Sequence, residues 1–283
     1  MALALEEGAA FVADYGNPYA RDDDVERQYE QMLAQFGVRY RPDLLHGGSN
    51  LGFSELAEKA LSALGHQPLP PDLLIVTYAV PGAPLIKVTA AHLNRLMGNT
   101  ACSFAICEQG SRAPFTALHV SRAFAQEGRC ARLALVILEP TTLPHWEPIV
   151  HDTPLVDSGV VLVFGEHGTL ALAEVCLLKS EDTLVGCLSR IVQESPGEQV
   201  LAVAGPWVDP SELAVPGLRS HRAPPGSYCT GAWIELARRW SDWSAHFDVI
   251  LVCDRDPQSR RSHLAVFRSC RAASLPEPLK RTA

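Results

Sequence analysis

Five short, almost unbroken apolar runs, at residues 73–78, 101–106, 133–138, 160–164 and 171–178, restrict this chain more than any other feature. A strand with one wet face alternates polar and apolar residues, whereas a run without alternation fits a strand covered on both faces. Helical spacing fills the gaps. Ser54 precedes Leu56, Ala57, Ala60, Leu61 and Leu64, and Gly65 stops the pattern. Residues 90–97 form a second such segment ending at Gly98, and residues 114–127 a third, with Phe115, Leu118, Phe124 and Ala125 on one face and Gly128 at its end. Strand and helix in alternation predict an α/β chain whose sheet carries helices on both sides.

The flanks are less regular. Asp22-Asp23-Asp24 is expected to cap a helix through Val25, Tyr29, Met32, Leu33 and Phe36; no regular signal precedes it. In the second half, residues 184–192 and 232–240 read as helices and 200–203, 249–252 and 264–267 as strands. Residues 206–227 are rich in Pro and Gly and read as a long loop, and the tail after Arg271 as loose chain. No repeat is visible in the letters, yet both halves run helix, strand, helix, strand, strand. The division expected is 1–180 and 181–283.

With 47% apolar and 20% charged residues, the chain can bury a sizeable core. A net charge of -8 without clustered Lys and Arg argues against nucleic acid. The N-terminal stretch has two Glu and no basic segment, so no signal peptide is expected, and no apolar run has spanning length. Eight scattered Cys, none in a CxxC pair, point to buried free thiols in a cytoplasmic protein, with no metal site and no membrane partner.

Several segments resemble the ketoacyl synthase III branch of the thiolase superfamily. Residues 56–65, a proline-containing gap, then Pro71-Asp72-Leu73-Leu74-Ile75-Val76-Thr77 are similar to that family's first helix and strand. Leu96-Met97-Gly98 resembles the helix end before its nucleophile strand. Ser111-Arg112-Ala113-Pro114-Phe115-Thr116-Ala117-Leu118 then lies in gapless register with the family's nucleophile segment, with Ser111 in place of the catalytic Cys. Gly128-Arg129 with residues 133–138, and Asp157-Ser158-Gly159 through Phe164-Gly165-Glu166-His167-Gly168, continue the match. Residues 40–180 carry it well; residues 200–270 follow by element order alone, through Gly231-Ala232-Trp233-Ile234-Glu235-Leu236-Ala237 and the last strand pair.

The resemblance implies a thiolase-like fold of two related halves, layered α-β-α-β-α. It implies an acyl-transferring thiolate at a helix N-terminus, a His and an Asn from the second half, and a glycine loop at the oxyanion. In each place this sequence differs. Ser111 replaces the Cys, and a hydroxyl is too weak an acid for a helix dipole worth about 1 kcal/mol to activate alone. Ala204-Gly205-Pro206-Trp207 has no His, Ser227-Tyr228-Cys229-Thr230-Gly231 has no Asn, and residues 254–261 have no glycine. The expected function is therefore a catalytically inactive ketoacyl-synthase-III-like subunit of fatty-acid or polyketide-type biosynthesis. Its partner would be an active condensing subunit in a heterodimer or a second copy of itself, with acyl carrier protein or acyl-CoA as further partners. No cofactor is implied. The alternative is a serine-dependent acyltransferase working through Ser111, as in polyketide starter acyltransferases.

Taken singly, these residues also have plainer readings. Ser111 reads as a helix N-cap. Among His119, His145, His151, His167 and His221, none has the spacing of a base for it. Glu108-Gln109 reads as a turn, Cys107 and Cys229 as buried apolar groups, and Arg255, Arg260 and Arg261 as a solvated loop that could otherwise grip a phosphopantetheine. Trp233, Trp240 and Trp243 share a helical spacing that suits core or interface.

Overall fold

The structure, a computed structural model, describes residues 3–80, 88–178 and 183–270. In chain order the strands are β1 (Ala4–Val12), β2 (Leu73–Tyr78), β3 (Cys102–Cys107), β4 (Leu133–Glu139), β5 (Ser158–Gly165), β6 (Leu170–Leu177), β7 (Val200–Ala204), β8 (Leu218–Arg222), β9 (Val249–Arg255) and β10 (Ser262–Ser269). The helices are α1 (Asp23–Gln35), α2 (Pro42–Gly47), α3 (Phe53–Ser62), α4 (Thr89–Leu96), α5 (Ala113–Gln126), α6 (Pro148–His151), α7 (Leu184–Glu194) and α8 (Gly231–His246). The loose tail expected after Arg271 lies outside the described residues. None of the described helices is long and apolar enough to cross a membrane.

Strand pairing reveals a duplication. The order is β3-β2-β4-β5-β1 followed by β6-β10-β9-β7-β8, so each half uses its first to fifth strands in one pattern. β2 runs parallel to β3 and β4, as β7 does to β8 and β9; β5 and β10 are antiparallel to their neighbours. Within the sheet the two sets join through the pairing of β1 with β6, Ala4↔Ala171 and Leu5↔Leu170. In pairing, the second set begins with β6, ahead of the 180/181 division.

The alternation of side chains along doubly covered strands sorts the core into three layers. Leu74, Val76, Val136 and Val161 face α3 and α4. Val200, Ala202, Leu251 and Leu264 face α7. The opposite faces of both halves, including Ile75, Leu135, Leu162, Val203, Val252 and Phe267, close on α5 and α8. Phe115 of α5 meets Trp233 of α8 with ring centroids 5.0 Å apart, both fully buried. The result is the five-layer α-β-α-β-α arrangement. Trp233 and Trp243 are core and Trp240 packs against it, in keeping with their spacing.

Asp22 caps α1, accepting from the N–H groups of Asp24 and Val25. Two strands depart from the sequence reading. β1, which carries Glu6 and Glu7, sits between β5 and β6 in mid-sheet. Glu6 pairs there with Arg132 at 2.5 Å and accepts from the N–H of His167. Gly8 lets α8 close in, since a Cβ on it would lie 3.1 Å from the Ala237 Cα. β8 lies inside the presumed loop 206–227. It is an edge strand paired only to β7, so its outer side needs no apolar residues. The thiols also differ from expectation. Cys130, Cys229 and Cys253 are buried, but Cys102 and Cys270 are exposed and Cys107, Cys176 and Cys187 are half-buried.

Candidate functional site

β3 ends in a tight reversal that feeds the central helix α5. Glu108 takes φ 58° and Gly110 φ 57°, followed by a 3-10 turn over Gly110–Arg112. Gly110 is needed twice over. Its backbone is left-handed, and a Cβ there would collide with the Asp256 carboxylate and lie 2.6 Å from the Tyr228 hydroxyl oxygen. Gln109 turns outward and accepts from the Thr116 hydroxyl at 2.7 Å.

Ser111 is fully buried at this point. It does not cap α5: the residue in that position is Arg112, which makes no side-chain cap bond. The expected cap is lost because the 3-10 turn sets Ser111 one step too early. Its Oγ is buried without a hydrogen-bond partner among the described residues. Its backbone N–H donates instead to Asp256 Oδ2 at 3.1 Å. The same carboxylate accepts from the Tyr228 hydroxyl at 2.7 Å and, through Oδ1, from the Ser259 N–H at 2.6 Å. Asp256 is 4% exposed. Burial raises its pKa, but the donors at Ser259, Tyr228 and Ser111 outweigh that and hold it below the usual carboxylate range. The Tyr228 phenol moves up, through burial and its bond to Asp256.

Three of the four segments flagged in the sequence therefore meet here. The stretch at 227–231 supplies Tyr228 and the stretch at 254–261 supplies Asp256, both against Ser111. Sequence reasoning did not foresee this use of Asp256, whose bond to Ser111 spans 145 positions. The glycine-poor hairpin was the only available signal.

A second buried carboxylate closes the other central helix. Glu139, at the end of β4, accepts from the N–H groups of Tyr228 at 2.6 Å, Cys229 at 2.5 Å and Thr230 at 3.1 Å, and from the Thr230 hydroxyl at 3.2 Å. Helix N-termini attract anions, and here the chain supplies its own. Burial pushes the Glu139 pKa up against those bonds, and pushes the Cys229 thiol up further beside it. Asp254, fully buried with Oδ2 unpartnered, is also shifted well up by burial. The Cys229 thiol is thus no nucleophile at neutral pH.

None of the histidines named from sequence hydrogen-bonds the Ser111 Oγ. His119 and His167 are exposed, His151 bonds the Glu147 backbone, and His221 bonds Glu235 at 2.5 Å. His145 is half-buried with its pKa lowered by burial. A histidine not anticipated, His263 on β10, reaches this region. It is 1% exposed, 5.7 Å from the Phe115 ring, and its Nδ1 has no partner among the described residues. Burial, then the charge of Arg112, pulls its pKa down to about 4. A histidine held neutral costs stability once the unfolded chain can protonate. Stability is therefore full above the ordinary pKa of about 6.5 and falls as pH drops from there to about 4, by up to about 3 kcal/mol. Urea unfolding midpoints measured across that range should show this slope in the wild type and lose it in His263→Leu.

Of the arginines, Arg255 pairs with Glu212 at 2.7 Å and is committed to structure, while Arg260 takes φ 57° in the turn of the β9–β10 hairpin. Arg261 borders an open cavity of about 350 Å³ beside Ser111, lined also by Glu108, Arg112, Tyr228, Asp256 and His263.

No family model and no curated protein matches the chain by sequence. Solved structures do match over nearly its whole length. 3-oxoacyl-(acyl carrier protein) synthase III, FabH, from Pseudomonas aeruginosa PAO1 aligns with TM-score 0.61 and 14% identity over 95% of this chain and 98% of that one. AbyA1, a tetronic acid condensing enzyme, aligns with TM-score 0.58 and 18% identity over 93% and 99%. An OleA variant from Xanthomonas campestris aligns with TM-score 0.61 and 11% identity over 95% and 98%. The duplicated five-layer architecture and these likenesses give one conclusion: the chain has the thiolase-like fold of ketoacyl-synthase-III-type condensing enzymes.

Proposed function

We propose that this protein is a non-catalytic condensing-enzyme-like subunit of fatty-acid or polyketide-type biosynthesis, which acts by pairing with an active condensing subunit. The observation that carries this reading is the Asp256 carboxylate on the Ser111 N–H. The backbone N–H of a nucleophilic residue is a common oxyanion donor in acyl transfer. Here the Asp256 carboxylate, which also accepts from Tyr228 and Ser259, already occupies it. A substrate oxyanion would have to displace Asp256 from the Ser111 N–H and would meet its like charge.

The sheet edges support the pairing. β8 carries Arg219, His221 and Arg222, which discourage a further strand. β3, the opposite edge, reads Cys-Ser-Phe-Ala-Ile-Cys, without one charge, and stays half-exposed with Ala105 open to solvent. An uncharged apolar edge is a liability for a lone molecule and an asset for a paired one. Co-expression with a ketoacyl-synthase-III-like enzyme from the same genome, followed by affinity capture, tests the reading. A stoichiometric complex is expected; a chain that stays monomeric beside every such enzyme would overturn it.

Acyl transfer through Ser111 has less support. It needs a base at Oγ, and among the described residues none hydrogen-bonds that atom.

A further inference from the structure

The cavity beside the closed centre has its own chemistry. Two guanidinium groups, those of Arg112 and Arg261, line it, and neither takes part in an ion pair among the described residues. The Nε of Arg112 is buried and unpartnered, and so is Nδ1 of His263. Both arginines act on His263, since their charges help to depress its protonation. The buried Arg112 Nε is a costly unpaired donor, and the exposed Arg261 brings a second unpaired cation to the same cavity. The neighbouring carboxylate does not answer them: Asp256 takes its bonds from Ser111, Tyr228 and Ser259, and from neither arginine.

We propose that this cavity is a binding site for a small monocarboxylate, gripped by Arg112 and Arg261 with His263 completing the hydrogen bonding. A guanidinium fork matches a carboxylate with two parallel bonds. The charge balance favours one negative charge over two. The carboxylates of Glu108 and Asp256 share the lining with Arg112 and Arg261 and offset their charge, so a phosphate dianion meets more repulsion there than a single carboxylate. The volume, about 350 Å³, suits a ligand of several heavy atoms beyond the carboxylate itself. This site rests on the closed centre described above, because it requires Asp256 to stay on Ser111.

Isothermal titration calorimetry of the full chain with pyruvate, and separately with inorganic phosphate at equal ionic strength, tests it. Saturable pyruvate binding is expected, at least tenfold tighter than phosphate, and weakened at least tenfold in both Arg112→Gln and Arg261→Gln. Those variants should keep the wild-type circular dichroism spectrum and unfolding midpoint within a few degrees. Phosphate binding as tightly as pyruvate, no saturable heat, or equal binding in the arginine variants would overturn the site. Failure of the closed centre itself reads out differently, as an acyl adduct on Ser111 by mass spectrometry, whatever pyruvate does.

Discussion

Replacing Asp256 by Ala is expected to lower unfolding stability by about 4 kcal/mol. The carboxylate holds three donors in a site only 4% exposed, and its loss leaves the Ser111 N–H, the Ser259 N–H and the Tyr228 hydroxyl unsatisfied. A bond to a charged group contributes about 1.5–3 kcal/mol, and each stranded buried donor costs about 1–3 kcal/mol, with the sum reduced by relaxation and water entry. Asp256→Asn keeps an acceptor and should cost less, about 1–2 kcal/mol. The pH dependence carries a second signature. Asp256 has a depressed pKa, so its contribution is complete above the ordinary carboxylate value of about 3.9 and is lost as pH falls through the folded value. The acid side of the stability profile should flatten in Asp256→Asn. Urea unfolding of wild type and both variants at neutral and acid pH measures all of this. An Asp256→Ala protein as stable as wild type would mean that the carboxylate is not what closes the centre.

The larger functional effect is expected at the uncharged edge. Ala105→Lys places a charge at the exposed middle of β3, where a second strand would have to lie. Edge charges block strand addition. If the chain pairs through β3, affinity for the captured condensing subunit should fall at least a hundredfold, about 3 kcal/mol. Because Ala105 is exposed, the monomer's own unfolding midpoint should move little. Arg219→Ala on β8, at the opposite edge, should leave the association unchanged. Sedimentation velocity of the co-expressed pair separates these outcomes. Intact association in Ala105→Lys would place the partner elsewhere.

What the sequence made legible follows from where apolar residues are obligatory. β2, β4 and β5 are covered on both faces, so their buried centres, residues 73–76, 133–138 and 160–164, are apolar throughout. β1 escaped notice because Glu6 and Glu7 are tolerated in mid-sheet by an ion pair to Arg132 and by half-burial. β8 escaped because an edge strand may be polar. At the centre, the four altered segments could be read from the letters, but their replacement by a new network could not. Asp256 looked like one more charge in a solvated hairpin. Its burial is set by Gly110 and Tyr228, which lie far away in the chain. His263 was hidden by the apolar run that follows it on β10. The N-cap expected at Ser111 failed for a local reason, the extra 3-10 turn that glycine at 110 permits.

A Ser111 closed to chemistry takes up no acyl group, and intact-mass spectrometry measures this at the residue itself. The purified chain would be incubated with a panel of acyl-CoA and acyl-carrier-protein thioesters, then weighed whole and mapped by peptide. An unchanged mass is expected with every donor, in the wild type and in Ser111→Ala alike. An acyl adduct that maps to Ser111 and disappears in Ser111→Ala would contradict it and show a working acyltransferase.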